Sequence, residues 1–169
     1  MNKYYNMLRM YNMLESDTND LGSTIHFDKR NLATFGIRVY NLFFMSCNLF
    51  ELVAKEIAGS DKSDMKTWKE VPVIRRYSDH ELTFLPMGYK FKPMEALGDV
   101  DVNKRKLTWW DDYNSVKHDL TQIQKASLRN LIYALCSAGL LVSHVVDMEI
   151  RAIQKPSVLF DGLYLPSLR

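Results

Sequence analysis

Cysteine is scarce in this 169-residue chain: Cys47 and Cys136 stand far apart inside apolar periodic segments. That excludes a disulfide scaffold or a zinc knuckle and reads as two reduced core thiols. An excess of charge of one sign is lacking too. The 22 Lys and Arg against 20 Asp and Glu leave a formal net charge of +2, so any nucleic-acid contact has to come from a local patch. Long clean apolar runs are missing as well: Leu131 to Val146 is interrupted by Ser137, Ser143 and His144. It falls short of the roughly 18 to 20 apolar residues that a membrane span needs, so a buried helix is expected and no membrane partner. The segment Met1–Leu14 carries Lys3 and Arg9 and has no apolar core before a small-residue cleavage site, so no export is expected and the location read from it is cytoplasmic. Only four histidines occur, His26, His80, His118 and His144, each in a different segment. With no Gly-rich phosphate loop and no nucleophile elbow, a metal or nucleotide-triphosphate enzyme of familiar type is excluded, and neither cofactor nor metal is expected. Asp99-Val-Asp-Val-Asn103 opens like a calcium loop, but Lys104 stands where the loop requires Gly and Trp110 where it requires Glu.

What is present is a hydrophobic fraction of 47% beside 25% charged residues, the composition of one globular domain spanning residues 1–169 and not of a disordered chain. Residues 2–15 place Tyr4, Leu8 and Tyr11 at helical spacing before a turn-rich stretch from Ser16 to Ser23, which predicts an N-terminal helical arm within residues 1–26. From Asp28, a candidate N-cap, Leu32, Phe35, Val39, Leu42, Phe43, Leu49, Phe50, Val53 and Ile57 recur at three and four up to Gly59. This predicts a long helix. Its polar positions, Arg38, Asn41, Asn48, Glu51 and Lys55, do not gather on one face, which points to burial on more than one side by a bundle or a partner chain. Residues 59–108 form an irregular insertion in which Pro72, Pro86 and Pro93 forbid long helices, while Thr83–Leu85 and Tyr89–Phe91 alternate like the strands of a small hairpin. Helix resumes near Trp109, with a break around Gln124 to Ala126, and continues to Pro156. The apolar tail, residues 156–169, is too hydrophobic to float free. The fold class is mostly α, a helical bundle with an irregular insertion holding a small β-hairpin.

The densest chemistry lies in Trp109-Trp110-Asp111-Asp112-Tyr113-Asn114-Ser115-Val116-Lys117-His118-Asp119. On a helix, Trp109, Tyr113, Val116, Leu120 and Ile123 form a core seam. Asp111, Asn114 and His118 align on the far side, with Trp110, Lys117 and Thr121 beside them, a surface suited to a phosphate or a base. The plainer reading is that acids in a first turn complement the helix dipole and that a polar face opposite a core seam is a solvated one.

This segment resembles the Tyr-Asn-x-x-Lys-His-Asp signature, often preceded by a Trp pair, of bacterial proteins in the HEPN superfamily. The resemblance implies a bundle built around two long antiparallel helices, here Asp28 to Ala58 and the helix through Leu131 to Gln154, and a homodimer. It implies further that His118 matches the histidine of the family's metal-independent ribonuclease motif. The positions of that motif's arginine are held by Asp111, Asp112 and Tyr113, and the tyrosine found two residues after the histidine in some members is Leu120 here. The sequence Arg75 to His80 has the motif's bare spacing, but Arg76 follows the arginine and the pair lies in the insertion.

The function expected on this basis is binding or cleavage of RNA in a bacterial defence or toxin–antitoxin setting, with a cognate partner protein. His118 would act as acid or base, Lys117 would neutralise the phosphate and Asn114 would orient it. Trp110 would stack a base, and Asp111, Tyr113, Arg105 and Lys106 would complete the surface for RNA or a nucleotide. The alternative is a non-catalytic dimeric interaction module in which Asn114, Lys117 and His118 fasten the helix.

Overall fold

The computed structural model describes residues 3–149 and 154–166. Its frame is three helices, α1 (Lys3–Leu21), α2 (Ile37–Ala58) and α6 (Leu128–Glu149), with α3 (Met65–Trp68), α4 (Pro72–Arg75) and α5 (Thr108–His118) set between the last two in sequence. The predicted mostly-α bundle around two long helices is the observed architecture.

The N-terminal helix is longer than its periodicity foretold. It runs through the stretch read as turns to Leu21, because Thr18 and Leu21 continue the buried face of Met7, Leu8, Tyr11 and Leu14. It is a member of the bundle and not an arm. Asp28 also caps something smaller than predicted: its side chain accepts from the Arg30 backbone N–H (2.8 Å) and starts a single 3-10 turn at Lys29–Asn31. The long helix begins only at Ile37, after Gly36. Leu32 and Phe35 matched the helical period, yet no long helix runs through them: Leu32 closes the 3-10 turn and Phe35 forms an isolated bridge with Ser127, because this stretch serves the next long helix. Thr34 O and Leu32 O accept from the N–H groups of Leu128 (2.8 Å) and Arg129 (2.9 Å), orphan donors of the first turn of α6. The far end of α2 stops where predicted, at Gly59, whose φ of 67° is the left-handed conformation that closes helices cheaply only with glycine.

The two long helices run in the same direction, not antiparallel as the resemblance implied. Their starts meet at the bridge between Phe35 and Ser127, and their ends meet where Glu56 and Ile57 share a cavity wall with His144, Val145 and Met148. The intervening residues return the chain to the beginning of α2 before α6 starts, so a parallel pair results. The antiparallel member is α1, whose first residues, Lys3 and Tyr4, bind Glu56 at the end of α2 (2.6 and 3.0 Å). A Cβ on Gly139 would stand 2.6 Å from the Tyr11 ring and 2.7 Å from Leu163, so this glycine lets α1 and the tail close on α6.

The predicted hairpin is present as β1 (Leu82–Phe84) against β2 (Tyr89–Phe91), with Leu82 opposite Phe91. The helix expected to reach Pro156 is α6 up to Glu149, residues 150–153 lie outside the described ones, and Gln154 already belongs to a strand. The tail forms three short strands, β3 (Gln154–Pro156), β4 (Phe160–Asp161) and β5 (Tyr164–Pro166). β3 pairs with β5, while β4 adds to the free edge of β1. Leu159, Phe160, Leu163 and Leu165 are buried, so the tail docks as its composition demanded.

Both long helices are apolar and long enough to cross a membrane by length and composition alone; the apolar window of α6 is 72% buried inside the fold and that of α2 only 50%. One flank of α2 is therefore left uncovered. Cys47 and Cys136 are fully buried, and burial pushes both thiols well above the usual range.

Candidate functional site

Helix α5 is pinned at both ends. At its start, Trp109 is buried and donates its indole N–H to Pro93 O (3.0 Å). At its end, Asp119 leaves the helix in an extended conformation and accepts from the Thr121 N–H (3.0 Å) and hydroxyl (2.7 Å), which starts the next 3-10 turn. Hydrogen bonds from Thr121 first, then Gln122, hold the Asp119 carboxyl below the usual carboxylate range. The break expected around Gln124 to Ala126 begins earlier, at Asp119, and holds a 3-10 turn over Leu120–Lys125 before α6 starts at Leu128. Because the helix stops at His118, the seam stops with it: Trp109, Tyr113 and Val116 are buried, whereas Leu120 is 64% exposed.

Trp110 is not on the surface. It is 6% exposed and stands between Phe50 (5.7 Å between ring centroids), Trp68 (5.4 Å) and Tyr113 (5.0 Å), so it cannot stack a base. The sequence placed it beside the seam by helical angle, but the insertion brings Trp68 over that side and seals it. Tyr113 is buried as well, with its hydroxyl donated to Asn48 Oδ1 (2.8 Å), and burial pushes its phenol above the usual range. Arg105 is 7% exposed and committed: its Nη1 lies 3.1 Å from Glu70 Oε1, and its Nε donates to Asp99 O (2.7 Å). These three residues are therefore corrected from substrate contacts to packing and fastening groups.

The remaining predicted residues are dispersed. Lys106 is exposed beside a cavity of about 150 Å³ at the start of α5, while Lys117 occupies the last turn. An eleven-residue helix spans about 16 Å, so no basic rim surrounds the polar face. Asp111 and His118 are exposed on one side of α5 with Asn114 half-buried between them, as the helical angles required. Lys117 lies over the Tyr113 ring at 5.4 Å from its centroid. Asp112 faces α6, where Asn130 Nδ2 donates to it (2.9 Å) and Lys125 Nζ lies 4.0 Å away. His118 lines none of the described cavities, and among the described residues its ring has no hydrogen-bond partner. Asp111 in the first turn and Lys117 with His118 in the last are charges placed as the helix dipole favours.

The structure also joins a pair that the sequence kept apart. Arg76 Nη2 donates to His144 Nδ1 (2.7 Å) and to the Tyr77 hydroxyl (3.3 Å), across 68 residues in the first case. Arg75, whose spacing to His80 matched the ribonuclease motif, instead donates its Nε to Leu97 O (3.3 Å). Burial, and then the Arg76 charge, hold the His144 imidazole below the usual histidine range. Arg76, Tyr77, Ser143, His144 and Asp147 border an open cavity of about 310 Å³. The adjacent arginines in the insertion were the one trace of this pair in the sequence. Among the described residues, no three His, Cys, Asp or Glu side chains come together as a metal-ligand set. Comparison with protein-family models, with curated proteins and with solved structures finds no match to this chain.

Proposed function

We propose that this protein is a protein–protein interaction module, in which the Trp109–Asp119 segment fastens the bundle instead of carrying out chemistry. The observation that carries the reading is Trp110. The side chain that would hold a base is sealed among Phe50, Trp68 and Tyr113, and Arg105, expected at the substrate surface, is tied to Glu70. What remains at the exposed end of α5 is Lys117 and His118, which line none of the described cavities, less than metal-free cleavage of RNA requires. The dense signature is explained by packing on one side of α5 and by dipole complementarity on the other.

A second reading has one observation in its favour: Lys117 and His118 are both exposed in the last turn of α5. In it, RNA is held there by a cytoplasmic HEPN-like bundle in a defence setting. The two readings separate in one assay, in which mixed single-stranded and structured RNA is incubated in excess chelator with the wild-type protein or with His118→Ala. The module reading expects no cleavage by either protein. Cleavage by the wild type that disappears with the substitution would establish the second reading and remove the first.

A further inference from the structure

Two cavities meet where α2 and α6 end. One, of about 310 Å³, is polar and bordered by Arg76, Tyr77, Ser143, His144 and Asp147. The other, of about 300 Å³, is walled mostly by the apolar parts of Tyr4, Ile57, Val73, Val145 and Met148. His144 and Met148 border both, and each cavity is of the size that takes a small organic molecule. Two parts of the chain build the pair in the same way. The insertion places Val73 at the apolar cavity and Arg76, three residues on, at the polar one. Helix α6 places Val145 at the first, and at the second His144 and Asp147, which stand one turn apart on one face.

The polar cavity holds donors that the fold does not use. Arg76 spends only Nη2, on His144 Nδ1 (2.7 Å) and on the Tyr77 hydroxyl oxygen (3.3 Å), while its Cζ lies 5.2 Å from the centroid of the Tyr77 ring. Among the described residues, Arg76 Nη1 and Nε have no acceptor. A guanidinium only donates, so His144 Nδ1 is the accepting nitrogen and the neutral ring carries its proton on Nε2. Tyr77, accepting from the same guanidinium, keeps its own O–H to give. Against these donors stands one carboxylate, Asp147, whose Oδ2 accepts from Gln154 Nε2 and whose Oδ1 has no partner among the described residues. The carboxylate at the apolar cavity, Glu56, is already matched by Lys3 (2.6 Å) and by the Tyr4 hydroxyl (3.0 Å).

We propose that the two cavities together bind a free apolar α-amino acid. Its carboxylate lies against Arg76, with the His144 and Tyr77 donors beside it, its ammonium against Asp147, and its side chain in the cavity of Ile57, Val73 and Val145. Both charges are needed to match the site. A simple carboxylic acid leaves Asp147 facing an anion, a simple amine leaves Arg76 facing a cation, and a phosphate brings two negative charges to one guanidinium beside an acid. A residue inside a peptide chain carries neither charge and a chain terminus only one, so the free amino acid is the class that fits. Burial and the Arg76 charge hold the imidazole below the usual histidine range, so near neutral pH it adds a donor without unbalancing the two charges. The inference goes beyond the reading of α5 and does not depend on it, since no residue of α5 borders either cavity.

The test is a titration of the full-length protein with L-leucine and with L-phenylalanine, read by calorimetry and by the ring signals of His144 in NMR, which His144→Gln identifies. The expected result is saturable binding of at least one of them, half-complete below about 1 mM, with a shift of the His144 signals. Removing one part of the ligand at a time weakens binding by about tenfold or more: isocaproate lacks the ammonium of leucine, isopentylamine its carboxylate and glycine its side chain. Arg76→Gln and Asp147→Asn, both at exposed positions, do the same from the protein's side, and circular dichroism confirms that both variants remain folded. Half-saturation above about 1 mM for both amino acids overturns the proposal. So does binding that leaves the His144 signals unmoved, or that either variant fails to weaken. Isocaproate bound as tightly as leucine would overturn it too, because the ammonium would then have no part in recognition.

Discussion

Trp110→Ala destabilises the fold by about 3–5 kcal/mol, the cost of removing a large buried ring and leaving its volume empty. The indole is 6% exposed and shares an aromatic cluster with Phe50, Trp68, Trp109 and Tyr113, whose rings meet edge-on or tilted at centroid separations of 5.0 to 6.0 Å. Such arrangements add to the burial of the rings themselves. The cluster joins three parts of the chain that are distant in sequence: α2, α3 of the insertion, and α5. Its loss therefore loosens the attachment of the insertion as well as α5. Trp110→Phe keeps a ring in place and costs clearly less. Equilibrium unfolding in urea reads both values, and a substituted protein as stable as the wild type would mean that Trp110 is not in the core.

Glu15→Ala destabilises the protein by about 2–4 kcal/mol and frees the tail, because buried donors then lose a charged acceptor. Glu15 is 6% exposed, and a single carboxylate oxygen accepts from the Ser157 hydroxyl, from Val158 N–H (3.1 Å) and from Leu159 N–H (3.3 Å). Tyr11 donates to the same oxygen at 3.4 Å. These bonds cross more than 140 residues, from the middle of α1 to the segment that leads into β4. With them removed, the pairing of β4 with β1 loses its anchor, so amide hydrogens at Phe84 and Leu85 exchange faster than those of α6. Leu85 is included because its N–H donates to Leu159 O (2.8 Å). Glu15→Gln retains a carbonyl oxygen at the same place and recovers part of the loss. An alanine variant with unchanged stability and unchanged exchange at β1 would contradict this account of how the tail is held.

The contrast between these residues and their sequence context shows what periodicity carries. Gly59, the hairpin at Leu82–Phe91 and the docked tail were legible because each depends on local chemistry: a left-handed cap, alternation around a Gly-containing turn, and apolar side chains too numerous to leave in water. The false start of the long helix at Asp28 has a local cause as well, since Leu32 and Phe35 fit a helical period while the chain between them turns to cap α6. The direction of α2 relative to α6 was not legible at all. It is set by the path of the insertion, and a helical period is the same in a parallel pair as in an antiparallel one.

The candidate site was legible as a helix face and misread as a surface. The angles of Asp111, Asn114 and His118 are as the sequence placed them, but whether Trp110 is open or sealed depends on Trp68, more than forty residues earlier. Arg105 looks like a free cation in the run Lys104-Arg105-Lys106 until Glu70 is found beside it. In the same way, nothing local links Arg76 to His144. Each of these long-range partners changes the chemistry of a residue without leaving a trace in its own neighbourhood.

The central claim is that the tryptophan-led segment belongs to the core, and the chain's own fluorescence tests it without substitution. The only tryptophans are Trp68, Trp109 and Trp110, and all three are buried. The account predicts blue-shifted emission that acrylamide scarcely quenches in the native protein and that single-stranded RNA leaves unchanged, with the red shift and full quenching appearing only on unfolding. Emission from a water-exposed indole in the folded chain, or quenching by RNA, would place Trp110 at a binding surface and contradict the account.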